Sequence, residues 1–187
     1  MILNKQIELI GQFTGDYNRE IHGRMLVGKV KMSQKAIALA LSSLEKGGIL
    51  KSRKQGTLRL FSLNTKYTGM KDTLLITETE KKLNFMEKHR KLAYLFRDDD
   101  RIVGIFGSYA KGMEKEGSDI DVFIIGSKKG PNYEKEGKRL DLNISVKYFQ
   151  EKIIKNNLFK EIIGNHILIN NAERFIKLIW RSFYDLD

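Results

Sequence analysis

The chain has 187 residues, 41% of them hydrophobic and 30% charged, enough for one large domain or two small ones with real cores. It contains no cysteine, which excludes disulfides and thiolate metal sites. No apolar run approaches a membrane span and no signal-peptide pattern opens the chain, so a cytoplasmic protein with no membrane partner is expected.

The formal net charge of +11 is unevenly spread. Residues 1–68 hold 12 Lys/Arg against 4 Asp/Glu, whereas residues 69–187 hold 22 against 19. The surplus in the first third is what a segment meeting polyanionic nucleic acid carries. The three histidines, His22, His89 and His166, lie far apart without ligand spacing and read as structural or surface residues.

In chain order, apolar side chains at Ile2, Leu3, Ile7, Leu9, Ile10 and Phe13 predict a first helix over 2–13, broken at Gly15-Asp16. Met25, Leu26 and Val30 predict a short second helix that turns near Lys31-Met32. Ser33 has the chemistry of an N-cap, and Ile37, Leu41 and Leu44 follow at helical spacing until Gly47-Gly48 ends the run. Two strands are predicted at 49–53 and 57–63, joined through Lys54-Gln55-Gly56. Residues 1–63 thus form a compact unit, 64–77 read as an irregular linker in which part of the chain can be helical, and 78–187 make a second domain. In that domain one long helix is predicted from Glu78 to Arg97, with strands at 102–106, 120–125 and 139–146. A helix over 149–163, a short apolar run at 167–169 and a last helix from Asn171 to about Phe183 complete the chain.

The stretch Gly104-Ile105-Phe106-Gly107-Ser108-Tyr109-Ala110-Lys111-Gly112 carries the most chemistry. An apolar strand runs into Gly107-Ser108, where a missing side chain lets backbone N–H groups approach an anion closely. The Ser108 hydroxyl adds a donor and Lys111, one turn on, adds charge, which together describe a phosphate cradle. It is not the nucleoside-triphosphate P-loop, because no Gly-Lys-Ser/Thr follows at the required spacing. Beyond Gly107-Ser108, after ten intervening residues, Asp119 and Asp121 flank Ile120 at the head of an apolar strand. Residues i and i+2 of a strand share a face, so both carboxylates face one way. Such a pair repels itself unless a cation intervenes, and Mg²⁺ suits one or two carboxylates plus substrate phosphates. Asp141, with apolar residues on either side in the third strand, is the candidate third acid. Ser118, just before the acidic pair, reads as a cap or support for that strand.

Gly-Ser followed by Asp-x-Asp at this spacing resembles the DNA polymerase beta nucleotidyltransferase superfamily, and the fuller string Gly-Ser-Tyr-Ala-Lys-Gly…Gly-Ser-Asp-Ile-Asp-Val resembles its minimal nucleotidyltransferase branch. The likeness is close over 102–125 and loose over the rest of roughly 78–183. It implies an α+β fold with a mixed sheet backed by helices, and transfer of a nucleoside monophosphate from a nucleoside triphosphate, with ATP expected, to an acceptor. Carried over, Gly107, Ser108, Lys111 and Ser118 would hold the nucleotide, while Asp119, Asp121 and Asp141 would be catalytic ligands of two Mg²⁺ ions.

Residues 1–63 resemble prokaryotic winged helix-turn-helix regulators, through His22-Gly23-Arg24, Met32-Ser33-Gln34-Lys35 and Leu44-Glu45-Lys46-Gly47-Gly48. That resemblance implies DNA contacts from Gln34 and Lys35 on the capped helix and from Lys51, Arg53, Lys54 and Arg59 on the hairpin. Ala36, Ala38 and Leu39 depart from the usual polar face, so base readout should be poor and a protein or dimer contact fits as well. Three readings stay open on the sequence. One is a metal-dependent transferase carrying a DNA-binding-type domain. The second is a transcription regulator whose transferase fold senses nucleotide or serves as an interaction module. The third is an antitoxin-type enzyme that adenylylates a partner protein.

Overall fold

A computed structural model describes residues 4–96, 99–151 and 157–184. The chain divides into two compact units, Met1–Thr77 and Glu78–Asp187. No helix among the described residues is long and apolar enough to cross a membrane.

The first unit opens with helix α1, Asn4–Ile10, which tightens into a 3-10 turn over Gly11–Phe13 and buries Leu9, Ile10 and Phe13. A second 3-10 turn, Gly23–Leu26, stands where a short helix is predicted. Helix α2, Gln34–Lys46, starts at Ser33, whose Oγ accepts the Ala36 N–H at 3.3 Å. That cap satisfies one of the donors a helix start leaves unpaired. Ile37, Leu41 and Leu44 form its buried stripe. Strands β1, Leu50–Gln55, and β2, Leu58–Leu63, pair antiparallel from Leu50↔Leu63 to Gln55↔Leu58. An isolated bridge between Ile21 and Phe61 extends this hairpin by a third chain segment.

The segment predicted as a linker is different. Helix α3 runs over Met70–Lys88, beginning in the first unit and ending in the second. Its buried face in the early turns is Met70, Thr73, Leu74 and Thr77. Two of these are threonines whose Oγ1 atoms donate to carbonyls four residues back, Thr73 to Gly69 and Thr77 to Thr73, each at 2.8 Å. Threonine at buried positions hides a helical stripe from a hydrophobicity pattern, because the backbone absorbs the hydroxyls. The helix then breaks at His89 (φ −119°, ψ 59°), and α4 is the separate short helix Arg90–Leu95. The expected single helix over 78–97 is therefore two pieces, and Leu83, counted as an inward position, is 62% exposed.

The second unit is built on one mixed sheet in the order β5-β4-β3-β6. Strands β3, Ile102–Phe106, and β4, Ile120–Ile125, lie where the sequence places them and pair antiparallel. Strand β5, Ile144–Phe149, runs parallel to β4, and β6, Ile167–Asn170, runs antiparallel to β3. Between the central strands lies the short helix α5, Gly107–Lys111, and before β5 comes α6, Tyr133–Lys138. Helices α7, Asn157–Gly164, and α8, Ala172–Tyr184, close the chain. One sheet face, with Val103, Ile105, Val122 and Ile124, packs on Phe85, Leu92, Leu95, Phe96 and Tyr133. On the other, Phe123 meets Phe175, which in turn packs on Phe159. Helices on both sides of a mixed sheet make the α+β architecture.

Glu78, 2% exposed, is tied down at the start of this unit. Lys81 Nζ donates to it at 3.0 Å and His166 Nε2 lies 3.5 Å away, while His166 Nδ1 bonds the Ile163 carbonyl at 2.8 Å. Burial alone would raise the Glu78 pKa, but the charges of Lys81 and His166 outweigh it and hold the carboxyl at about 2.

Two expectations for the tail of the domain need correction. The third strand does not cover 139–146: it starts only at Ile144, and residues 139–141 form a turn after α6. In that turn the Leu140 and Leu142 N–H groups both donate to the Gly137 carbonyl. A Cβ on Gly137 would sit 2.6 Å from Ile144 Cδ1, so α6 seats directly against the strand start. The alternation Leu140, Leu142, Ile144, Val146 suggests one strand because all four side chains lean on the same core, although only the last two are in extended ladder positions. Of the helix expected over 149–163, Phe149 instead ends β5 and residues 157–163 are helical in α7, while residues 152–156 lie outside the described ones.

Candidate active site

Strand β3 ends at Phe106, and the chain turns at once into α5 through Gly107, whose φ is +71°. Strand β4 returns alongside, so Asp121 pairs with Phe106 across the ladder. Gly107 therefore lies against the Asp121 carboxylate: a Cβ there would be 2.4 Å from Oδ2. The backbone can come this close only because the side chain is missing. Helix α5 ends at Gly112, again left-handed at φ +65°, and the Met113 N–H donates to the Ser108 carbonyl at 2.9 Å.

Asp119 and Asp121 share one face at the head of β4, while Ile120 and Val122 between and beyond them are buried in the core. Asp119 is exposed and Asp121 half-buried. The Asp121 carboxyl is pushed above its ordinary value, first by burial and then by the charge of Asp119; the Lys147 ammonium opposes the rise. A half-buried carboxylate with a like charge beside it is a setting that a cation would relieve.

The other candidates divide. Ser108 is half-buried in the first turn of α5. Ser118 is occupied locally: its Oγ accepts the Lys115 N–H at 2.9 Å and its N–H donates to the Lys115 carbonyl at 3.0 Å, which locks the turn before the acidic strand. Lys111 Nζ lies 3.7 Å from Glu161 on α7, both well exposed. Asp141 is not brought to the pair. It sits exposed in the turn, at φ +56°, before β5 begins. Among the described residues no three His, Cys, Asp or Glu side chains gather closely enough to share a metal. Two carboxylates on one face, with a glycine leaving space beside them, fit a single hard divalent cation that completes its shell from phosphates and water.

Sequence reasoning missed the residues that brace α5. His89 stacks on Phe85 at 4.4 Å and meets Tyr109 edge-on at 5.4 Å, with Glu114 3.5 Å from its Nε2. Burial and then the Glu114 charge push the Tyr109 phenol up. Nothing local signals this trio, because His89 precedes Tyr109 by a helix and a strand. A cavity of about 380 Å³ lies here, lined in part by His89, Arg90, Tyr109, Ile120 and Leu142. Because Ile120 faces away from the acids, it opens on the opposite sheet face.

In the first unit, Gln34 and Lys35 are exposed in the first turn of α2, and Leu39 is 65% exposed on the same helix. Arg53 is held by Glu20 through bonds of 2.6 and 2.5 Å, and Arg59 bonds Glu45 and, at 3.0 Å, Ser52 Oγ. Hydrogen bonding from Arg53 lowers the Glu20 pKa, and bonds from Ser52 and Arg59 lower that of Glu45. Two of the four expected wing cations are thus matched by carboxylates, whereas Lys51 and Lys54 project to solvent. A groove of about 420 Å³ lies between α2 and the hairpin, lined among others by Gln34, Ala38, Leu58 and Arg59.

Fold and site define the class first: an α+β transferase domain that presents paired carboxylates beside a Gly-Ser turn at one end of a mixed sheet. The family model described as a nucleotidyltransferase domain matches residues 76–178, more than half the chain, and the chain belongs to that family. A chain from a solved structure described as a toxin-antitoxin with AMP-PNP aligns over 57% of this chain and 86% of its own at 15% identity, with a TM-score of 0.33. No curated protein matches the chain in sequence.

Proposed function

We propose that the second unit transfers a nucleoside monophosphate from a nucleoside triphosphate, ATP being the expected one, to an acceptor hydroxyl. The observation that carries this is the seating of Gly107 against the half-buried carboxylate of Asp121, with Asp119 on the same face. In the reaction, a bond forms between the acceptor oxygen and the α-phosphorus, the bond to the β-phosphate bridge breaks, and pyrophosphate leaves. Asp119 and Asp121 would hold a Mg²⁺ ion, which supplies charge neutralisation to the triphosphate when bound. In this reading the backbone N–H groups at Gly107-Ser108 and the Ser108 hydroxyl would donate to phosphate oxygens. Lys111 can exchange its long, exposed contact with Glu161 for a phosphate, since such a surface pair contributes little. Catalysis of this kind rests on positioning and electrostatics rather than on a protein nucleophile. Calorimetric titration with each of the four nucleoside triphosphates, with Mg²⁺ and then with EDTA, tests the reading. Binding that requires the metal is expected, and absence of binding by all four overturns it.

The first unit is proposed to be a winged helix that meets nucleic-acid backbone. Its support is the Ser33-capped α2 followed by a hairpin joined to Ile21, together with the positive surplus of residues 1–68. The exposed Ala38 and Leu39 argue against base readout, and the exposed Lys51 and Lys54 are the groups that would meet phosphates. Replacing Lys51 and Lys54 by alanine should therefore lower the slope of log affinity against log salt by about 1.8, the release expected for two phosphate contacts. A slope unchanged in the double variant takes the wing out of the interface.

A further inference from the structure

The resemblance to two-metal transferases calls for a third carboxylate beside the first two, and this fold puts something else there. Strand β5 runs parallel to β4 with Asp121 opposite Ser145, Phe123 opposite Lys147, and the Ile120 N–H bonded to the Asn143 carbonyl. Paired residues on adjacent strands point to the same side and lie about 4.8 Å apart, and side chains two apart on one strand share a face. The residues that flank the two acids from this side are therefore Asn143, just ahead of β5, Ser145, opposite Asp121, and Lys147, one pair further along: an amide, a hydroxyl and an ammonium. The nearest acid in sequence, Asp141, is in the left-handed turn ahead of the strand. The charge that Asp121 feels from β5 is positive, and it comes from Lys147.

We propose that this site holds one divalent cation, not two, and that the Lys147 ammonium stands on the flank of Asp121 where a second cation would sit. The inference rests on the nucleotidyl-transfer reading above. A fixed monovalent charge there has two physical consequences. It repels a second divalent ion, and it lowers the net negative charge that draws in the first. The proton of the acceptor hydroxyl must then leave without a second protein-held metal, so this site discriminates acceptors by how readily they ionise or by a base they bring with them.

The test is a count of Mn²⁺ bound to the full chain, by electron paramagnetic resonance, with saturating α,β-methylene ATP. One ion per chain is expected, and two per chain overturns the proposal. No bound ion and no bound nucleotide would instead sink the nucleotidyl-transfer reading, and this inference with it, so the two failures are distinct. The role of Lys147 is read separately from Mn²⁺ affinity without nucleotide. Lys147→Met should bind the ion several-fold more tightly than the wild type, and Lys147→Arg, which keeps the charge, should restore the wild-type value. Equal affinity in all three would remove Lys147 from the site. The double variant Ser145→Asp/Lys147→Met, which puts a carboxylate opposite Asp121, should raise the count to two.

Discussion

Asp121→Asn is expected to abolish nucleotidyl transfer while making the metal-free protein more stable. The carboxyl sits above its ordinary pKa because it is half-buried and next to Asp119, an effect only partly offset by Lys147. A folded state with a raised carboxyl pKa holds its proton more tightly than the unfolded chain does. The folded state is therefore favoured while the group is protonated, and loses that advantage as pH climbs from 3.8 through the raised value. At neutral pH the ionised group opposes folding, and asparagine, which cannot ionise, removes the opposition. Melting curves in EDTA should show the variant above the wild type at pH 7 and level with it below the ordinary carboxylate range. If Asp121 holds the proposed metal, transfer should fall by about a thousandfold or more, because the several kcal/mol of charge stabilisation the ion would supply goes with its ligand. A variant that transfers nucleotide at close to the wild-type rate would remove Asp121 from the chemistry. One with an unchanged melting curve would remove the electrostatic strain.

Gly107→Ala is the second large effect, and Gly112→Ala is its internal control. Both glycines are left-handed, at φ +71° and +65°, so alanine at either forces a non-glycine residue into a disfavoured backbone region at about 1 kcal/mol. Their surroundings differ. A Cβ at Gly112 meets nothing within 4 Å, whereas one at Gly107 would lie 2.4 Å from Asp121 Oδ2. Similar losses in urea midpoint are therefore expected from the shared backbone strain, with Gly107→Ala somewhat the worse. Their effects on function should separate: Gly112→Ala keeps transfer near wild type, and Gly107→Ala loses about a hundredfold as the carboxylate is pushed off its position. Equal loss of transfer in both would mean that the turn as a whole matters, and not the seat of Asp121. Equal retention would mean that the carboxylate tolerates displacement and the proposed metal position is wrong.

The parts of the fold legible in the sequence are those governed by local pattern. Ser33 caps α2 because a serine before a helical stripe has one low-energy use, and β3 and β4 begin and end where their apolar runs do. The adjacency of Asp119 and Asp121 on one face follows from strand periodicity alone. The parts that were not legible depend on partners distant in sequence. The early turns of α3 are hidden because their buried face includes Thr73 and Thr77, which return their hydroxyls to the helix backbone, and no hydrophobicity pattern registers that. The break at His89 goes with its packing against Phe85, Tyr109 and Glu114.

What the sequence determined by itself, then, is the chemistry within one contiguous stretch: a Gly-Ser turn, two carboxylates two residues apart, and the α+β setting that carries them. Only the tertiary structure decided what stands beside them. A period-2 apolar pattern continued from Leu140 to Val146 through a turn as smoothly as through a strand, since both conformations can point alternate side chains at one core. The ladder starts instead at Ile144, the residue against which Gly137 is closely seated. That register left Asp141 in the turn and brought Ser145 and Lys147 alongside Asp121. The charge facing the paired acids is therefore fixed by strand pairing, an interaction between segments that no local reading of either one contains.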